Sequence, residues 1–145
     1  DYKYASEAVA LEYSDASDYP SVVLGALKKM YWMKGSPLQT DSEGRAVGGI
    51  LIRHLVLPGH ADESRLVLRK IAGELSPGVN ISLMSQYHPT PEVAGHPVLG
   101  RALYKAEYDS VVKEMEELGF RNGWLQDPES CLNYRPDFSR DHPFE

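Results

Sequence analysis

With 145 residues, 15 basic against 21 acidic side chains and a formal net charge of −6, the chain is long enough for one domain with a real core. It lacks the basic run or stripe that binding nucleic acid requires. No stretch nears the roughly 20 apolar residues of a membrane span, none has a signal peptide's organisation, and the single cysteine, Cys131, permits no internal disulfide. A cytoplasmic protein with neither nucleic acid nor membrane as partner is expected, and a start at Asp1 without methionine reads as a piece of something longer.

In chain order, residues 1–4 look like the end of a strand. After Pro20, a favoured first-turn residue, Val22, Val23, Ala26, Leu27, Met30 and Met33 recur at helical spacing and Gly35 is placed to stop them. This predicts a helix over 20–34. The run GGILIRHLVLPGH, Gly48 to His60, is mostly apolar at both odd and even positions, the pattern of a strand covered on both faces. A strand over 49–57 follows, stopped by Pro58 and Gly59. Asp62 or Ser64 can cap a helix over 61–75 whose buried stripe is Leu68, Ile71, Ala72 and Leu75. VNISLMS then alternates like a second covered strand, over 79–85.

The stretch QYHPTPEVAGHPVLGRAL is too broken by proline and glycine for a regular element, and loops of this length often carry function. Beyond it Tyr108, Val111, Val112, Met115 and Leu118 define an amphipathic helix over 104–118, with Gly119 as a left-handed stop. A last short strand fits near GWLQ, before an irregular tail over 128–145. Strands alternating with helices are the grammar of a parallel sheet with right-handed crossovers, so a single α/β domain over 1–145 is expected. No glycine-rich phosphate fingerprint follows any strand, which leaves a dinucleotide-binding role without support.

In such a sheet chemistry gathers beyond the carboxyl ends of the strands, which makes Asp1, Lys3, Arg53, His54, His60, Gln86, Tyr87 and His88 candidates. Arg53 shares its strand face with Leu51, Leu55 and Leu57. A guanidinium buried there cannot be neutralised and needs an anion. That anion is either an internal carboxylate such as Asp1 or the carboxylate or phosphate of a ligand. Lys3 follows Asp1 by two residues, so on an extended chain both side chains point to one face. His54, His60, His88 and His96 fall near strand ends, although none has a recognised metal-ligand spacing. A metal-dependent hydrolase half-barrel built on His54, His60 and His88 is one alternative function, and a non-catalytic interaction domain is another. Cys131 is assigned no role.

Taken in order, DYKYAS, YSDASDYPSVV, GGILIRHLVLPGH and SLMSQYHPTPE resemble the carboxyl-terminal half of radical S-adenosylmethionine proteins related to pyruvate formate-lyase-activating enzyme. The likeness runs from Asp1 to about Asp127. It implies a partial (half) βα barrel of three βα units whose amino-terminal half is missing, with Asp1 and Lys3 on the fourth strand of the family's barrel, Arg53 on the fifth and His88 after the sixth. On that basis Lys3 and Arg53 would meet the methionyl carboxylate of S-adenosylmethionine, Asp1 would help hold a monovalent cation beside it, and His88 would approach the nucleoside.

The implied activity is that of an oxidoreductase that reductively cleaves the cofactor to a 5'-deoxyadenosyl radical and abstracts hydrogen from a glycyl radical enzyme or another substrate. The family's CxxxCxxC loop is absent, and one cysteine cannot ligate a [4Fe-4S] cluster, so the isolated chain is expected to be catalytically silent. The unpaired edge of a first strand at 1–4 predicts self-association there or a local rearrangement that covers it. The cofactor reading also carries a condition. An Arg53 already held by a native carboxylate with no hollow beside it, or turned outward into bulk water, has no need of a ligand.

Overall fold

Residues 1–127 are described by the computed structural model; the tail expected over 128–145, with Cys131, lies outside the described residues. Helices α1 (Glu7–Ser14) and α2 (Tyr19–Lys34) precede a small antiparallel hairpin, β1 (Gln39–Thr40) and β2 (Ala46–Gly48). A βαβαβ run follows: β3 (Leu51–Leu55), α3 (Ala61–Glu74), β4 (Asn80–Met84), α4 (Lys105–Glu117) and β5 (Gly123–Leu125). The last three strands form one parallel sheet in the order β3-β4-β5, with Arg53, Ser82 and Trp124 in one row across it and His54, Leu83 and Leu125 in the next.

Local chemistry accounts for most of these elements. Pro20 sits in the first turn of α2, and Gly35, at φ 71°, ends it. Asp62 and Glu63 occupy the first turn of α3, where carboxylates favour the helix dipole. Val67, Leu68 and Ile71 of α3 and Tyr108, Val111 and Met115 of α4 recur every three or four residues, and all are buried. They pack on Ile52, Val56, Ile81 and Leu83 to make the core.

Two sequence expectations are corrected. The strand over 49–57 is covered on one face only: Ile52, His54 and Val56 are buried, whereas Leu51 and Arg53 are exposed and Leu55 is half-buried. The reason is handedness. Two successive right-handed crossovers in a sheet whose strand order follows the chain put both helices on the same side, and among the described residues no layer covers the other side. The described residues thus form an open three-stranded parallel sheet alternating with helices.

Residues 1–4 form no ladder. Tyr2 runs beside β3 with one backbone hydrogen bond, its N–H to the carbonyl of Arg53 at 3.0 Å. Of the two expectations for this edge, a second copy or a local rearrangement, the contacts present are local: the Tyr19 hydroxyl accepts from the Lys3 N–H at 2.9 Å and donates to the Asp1 carbonyl at 3.3 Å.

Helix α1 and the hairpin were not anticipated. Only Ala10 of α1 is buried, so the segment has no apolar stripe to read. Its start is instead held by Glu63, whose Oε1 accepts from the N–H groups of Ala5 and Ser6 at 2.6 Å each.

Candidate functional site

Arg53, at the middle of β3, points from the uncovered face of the sheet. Its Nε donates to Asp1 Oδ1 at 2.7 Å and its Nη2 to Oδ2 at 3.1 Å, a bidentate pair between side chains that are 58% and 42% exposed. The carboxylate that Arg53 lacks in its own strand is thus supplied by Asp1, and the guanidinium is turned largely outward into water, so the condition under which Arg53 has no need of a ligand is met. Because the pair stands largely in water, its contribution to stability belongs to the range of exposed pairs, about 0.2–1 kcal/mol.

Lys3 is exposed on the same side of the chain as Asp1, the intervening Tyr2 being buried, and its ammonium has no partner among the described residues. His88 follows β4 in the long loop. It is exposed and makes no hydrogen bond, ion pair or ring contact among the described residues. The fold therefore joins Asp1 to Arg53, sets Lys3 alongside, and leaves His88 without contact to the other three.

His54 points the opposite way, into the core. Its Nδ1 lies 2.7 Å from the Tyr2 carbonyl, which can only accept, so Nδ1 carries the proton and Nε2 is a bare acceptor. Neither Nε2 nor the Tyr2 hydroxyl has a hydrogen bond among the described residues. Burial lowers the His54 pKa below its ordinary 6.5 and pushes the Tyr2 hydroxyl up to about 12.

His60 leads into α3 with its Nε2 2.8 Å from the Tyr13 hydroxyl. The Tyr13 ring also meets that of His96 edge-on at 6.0 Å, and His96 Nδ1 accepts from the N–H groups of Val98 and Leu99 at 3.2 and 3.0 Å. His54, His60 and His88 thus serve three separate places. Among the described residues no group of three or more His, Cys, Asp or Glu side chains is arranged to hold a metal ion.

The remaining candidates tie loops together. Gln86 Oε1 accepts from Gln126 Nε2 at 2.7 Å, and the Tyr87 hydroxyl donates to the Leu99 carbonyl at 2.8 Å. Residues that the sequence reading passed over do more. Glu107 accepts from the Gly59 N–H at 2.7 Å, from the Tyr104 N–H at 2.9 Å and from both Nη atoms of Arg101 at 2.8 Å. The Arg101 fork, against some opposition from burial, holds its carboxyl at about 2. The spacing of Tyr104 and Glu107, that of a capping box, was the available signal. For Tyr19 the only signal was its place directly before the helix-initiating Pro20.

A groove of about 290 Å³ opens between α4 and β5 beside Val112, Met115, Phe120, Trp124 and Leu125. None of Asp1, Lys3, Arg53 or His88 lines it. Among the described residues no helix is long and apolar enough to cross a membrane. No protein-family model, no curated protein and no solved structure matches the chain.

Proposed function

We propose that the chain is the carboxyl-terminal half of a radical S-adenosylmethionine barrel protein of the activating-enzyme-related kind, and that its uncovered sheet face is the wall turned toward the cofactor. One observation carries this reading: Asp1, Lys3 and Arg53 stand on the uncovered side while α3 and α4 pack only on the other. In a βα barrel the helix-free face of the sheet is the interior. Lys3 and the Arg53 fork would take the methionyl carboxylate, Asp1 a monovalent cation beside it, and His88 the nucleoside.

Of these charges, Lys3 is the one that a ligand would complete. Lys3 has no partner among the described residues, and an exposed Asp1–Arg53 pair is worth about 1 kcal/mol at most. A charge-assisted bond to a ligand carboxylate reaches about 1.5–3 kcal/mol only where binding shuts water out; at the exposure Arg53 has here a ligand carboxylate gains no more than Asp1 does and would have to share the guanidinium with it. The [4Fe-4S] cluster does not fit, since the chain has one cysteine and the cluster needs three thiolates. No radical step is assigned to this chain. The oxidoreductase activity, a glycyl radical enzyme as partner and a cytoplasmic location belong to the proposal for the whole protein.

A second reading, a non-catalytic interaction domain, is favoured by the fact that Arg53 already has its carboxylate. Calorimetric titration of S-adenosylmethionine into the chain separates the two. Saturable binding that weakens about 10- to 150-fold in both Lys3→Ala and Arg53→Ala, the factor corresponding to about 1.5–3 kcal/mol, supports the cofactor wall. Absence of binding, or equal affinity in both variants, selects the interaction domain.

A further inference from the structure

Strand β5 is entered through an Asn–Gly step, with Asn122 in the bend before the strand and Gly123 as its first residue, and both are exposed. In such a step the backbone nitrogen of the glycine can attack the side-chain carbonyl carbon of the asparagine, because glycine has no side chain to obstruct ring closure. Within a sheet the ladder ordinarily prevents this by engaging that nitrogen in a hydrogen bond and fixing its direction.

At Gly123 the ladder does not reach. β5 is the last strand in the sheet order, and its pairing with β4 runs through the neighbours of Gly123: the Ile81 N–H donates to the Asn122 carbonyl at 3.2 Å, and further along the Gln126 N–H donates to the Leu83 carbonyl at 3.0 Å. In that parallel register the N–H of Gly123 points away from β4, and it has no hydrogen bond among the described residues. One contact restrains the other reacting group, since Asn122 Nδ2 donates to the Gly78 carbonyl at 3.0 Å in an exposed position. Asn80, the other asparagine among the described residues, is the contrast. It is buried, its Nδ2 donates to the carbonyls of Ser36 and Ile50 at 3.0 and 3.3 Å, and the nitrogen that follows it is that of the branched Ile81, already committed to Asn122.

We propose that Asn122 and Gly123 form a site of spontaneous deamidation in the folded protein, and that conversion releases the entry of β5. The Gly123 nitrogen bonds to Cγ of Asn122 and gives its proton to water, the Cγ–Nδ2 bond breaks, and ammonia leaves. Water then opens the cyclic imide, giving aspartate when it attacks the side-chain carbonyl and isoaspartate when it attacks the main-chain carbonyl. No atom changes oxidation state. Either product replaces the donor that held the Gly78 carbonyl with a carboxylate, so that acceptor faces acceptor. Isoaspartate also lengthens the main chain by a methylene and takes the carbonyl that served the Ile81 N–H out of it. The proposal does not depend on the cofactor reading, since neither residue belongs to the candidate site.

Tandem mass spectrometry on the full 145-residue chain, incubated folded in mildly alkaline buffer and sampled over days, tests it. The expected result is a gain at Asn122, and not at Asn80, of the mass difference between an amide NH2 and a hydroxyl, with isoaspartate confirmed by enzymatic methylation of the new carboxylate. In the Asn122→Asp variant, which fixes one product, the Ile81 amide should exchange with deuterium about tenfold faster while the circular dichroism spectrum stays unchanged. An Asn122 that stays intact in the folded chain but converts in urea overturns the proposal, because the fold then protects the step. Conversion of Asn80 at the same rate overturns it by showing that global unfolding sets the chemistry. Unchanged Ile81 exchange in Asn122→Asp overturns the release of β5.

Discussion

Arg53 and His54 are neighbours in the chain, and the two-residue period of a strand sends them to opposite environments. The guanidinium stays in water against Asp1, where its charge is tolerated at little cost. The imidazole goes into the core as a neutral ring, one nitrogen donating to the Tyr2 carbonyl and the other without a hydrogen bond among the described residues. Burial holds the folded-state pKa of His54 below the 6.5 of the unfolded chain. As pH falls below 6.5 the unfolded state therefore binds a proton that the native state refuses. Stability is fully present above that value and declines as pH drops toward the folded pKa, by at most about 1.4 kcal/mol per pH unit for one proton. Urea unfolding at a series of pH values from about 7.5 to 5.5 should show this slope, and His54→Gln should flatten it. The alternation that separates the two residues was legible in GGILIRHLVLPGH. Which side water would occupy was not, because an apolar run looks alike whether one face or both are covered.

Strand β5 shows how an element hangs on one backbone position. Gly123 adopts φ 122°, and a Cβ there would lie 1.9 Å from the Ile81 carbonyl oxygen. The clash is with backbone of the neighbouring strand, which cannot step aside without opening the β4–β5 pairing. Gly123→Ala is expected to destabilise the fold by about 1–3 kcal/mol, the range of local backbone strain. It should also remove hydrogen-exchange protection from the Gln126 amide, which donates to the Leu83 carbonyl at 3.0 Å. Unchanged protection would show that β5 is held by other contacts. Helices α3 and α4 could be read from the sequence because their stripes are strong and their stops explicit. Helix α1 could not, since what holds it is the Glu63 carboxylate from the far end of a sequence separation of 57 and 58 residues.

For the molecule as a whole, helices on one side of the sheet divide its apolar side chains into two classes that composition cannot distinguish. Ile81 is fully buried beneath the helices, while Leu51 is 41% exposed on the uncovered face. Ile81→Ala should cost about 2–5 kcal/mol by losing burial and leaving a cavity, whereas Leu51→Ala should stay within about 0.5 kcal/mol, as surface changes do. Urea midpoints of the two variants measure the difference directly. A comparable loss from Leu51→Ala would mean that something covers that face in solution, and would point to the layer that an open parallel sheet otherwise lacks.

What the amino-acid sequence determined by itself was the α/β alternation, the helices α2, α3 and α4 to within a residue or two, and the cores of strands β3 and β4. These follow from local periodicity and from stops such as Gly35, Pro58 and Gly119, which act wherever the chain happens to fold. Only the tertiary structure decided that Arg53 finds Asp1, that Tyr19 closes the edge beside Tyr2, and that one sheet face stays open. Each of these depends on which distant segments become neighbours and on the hand of the crossovers, and no short stretch of sequence contains either.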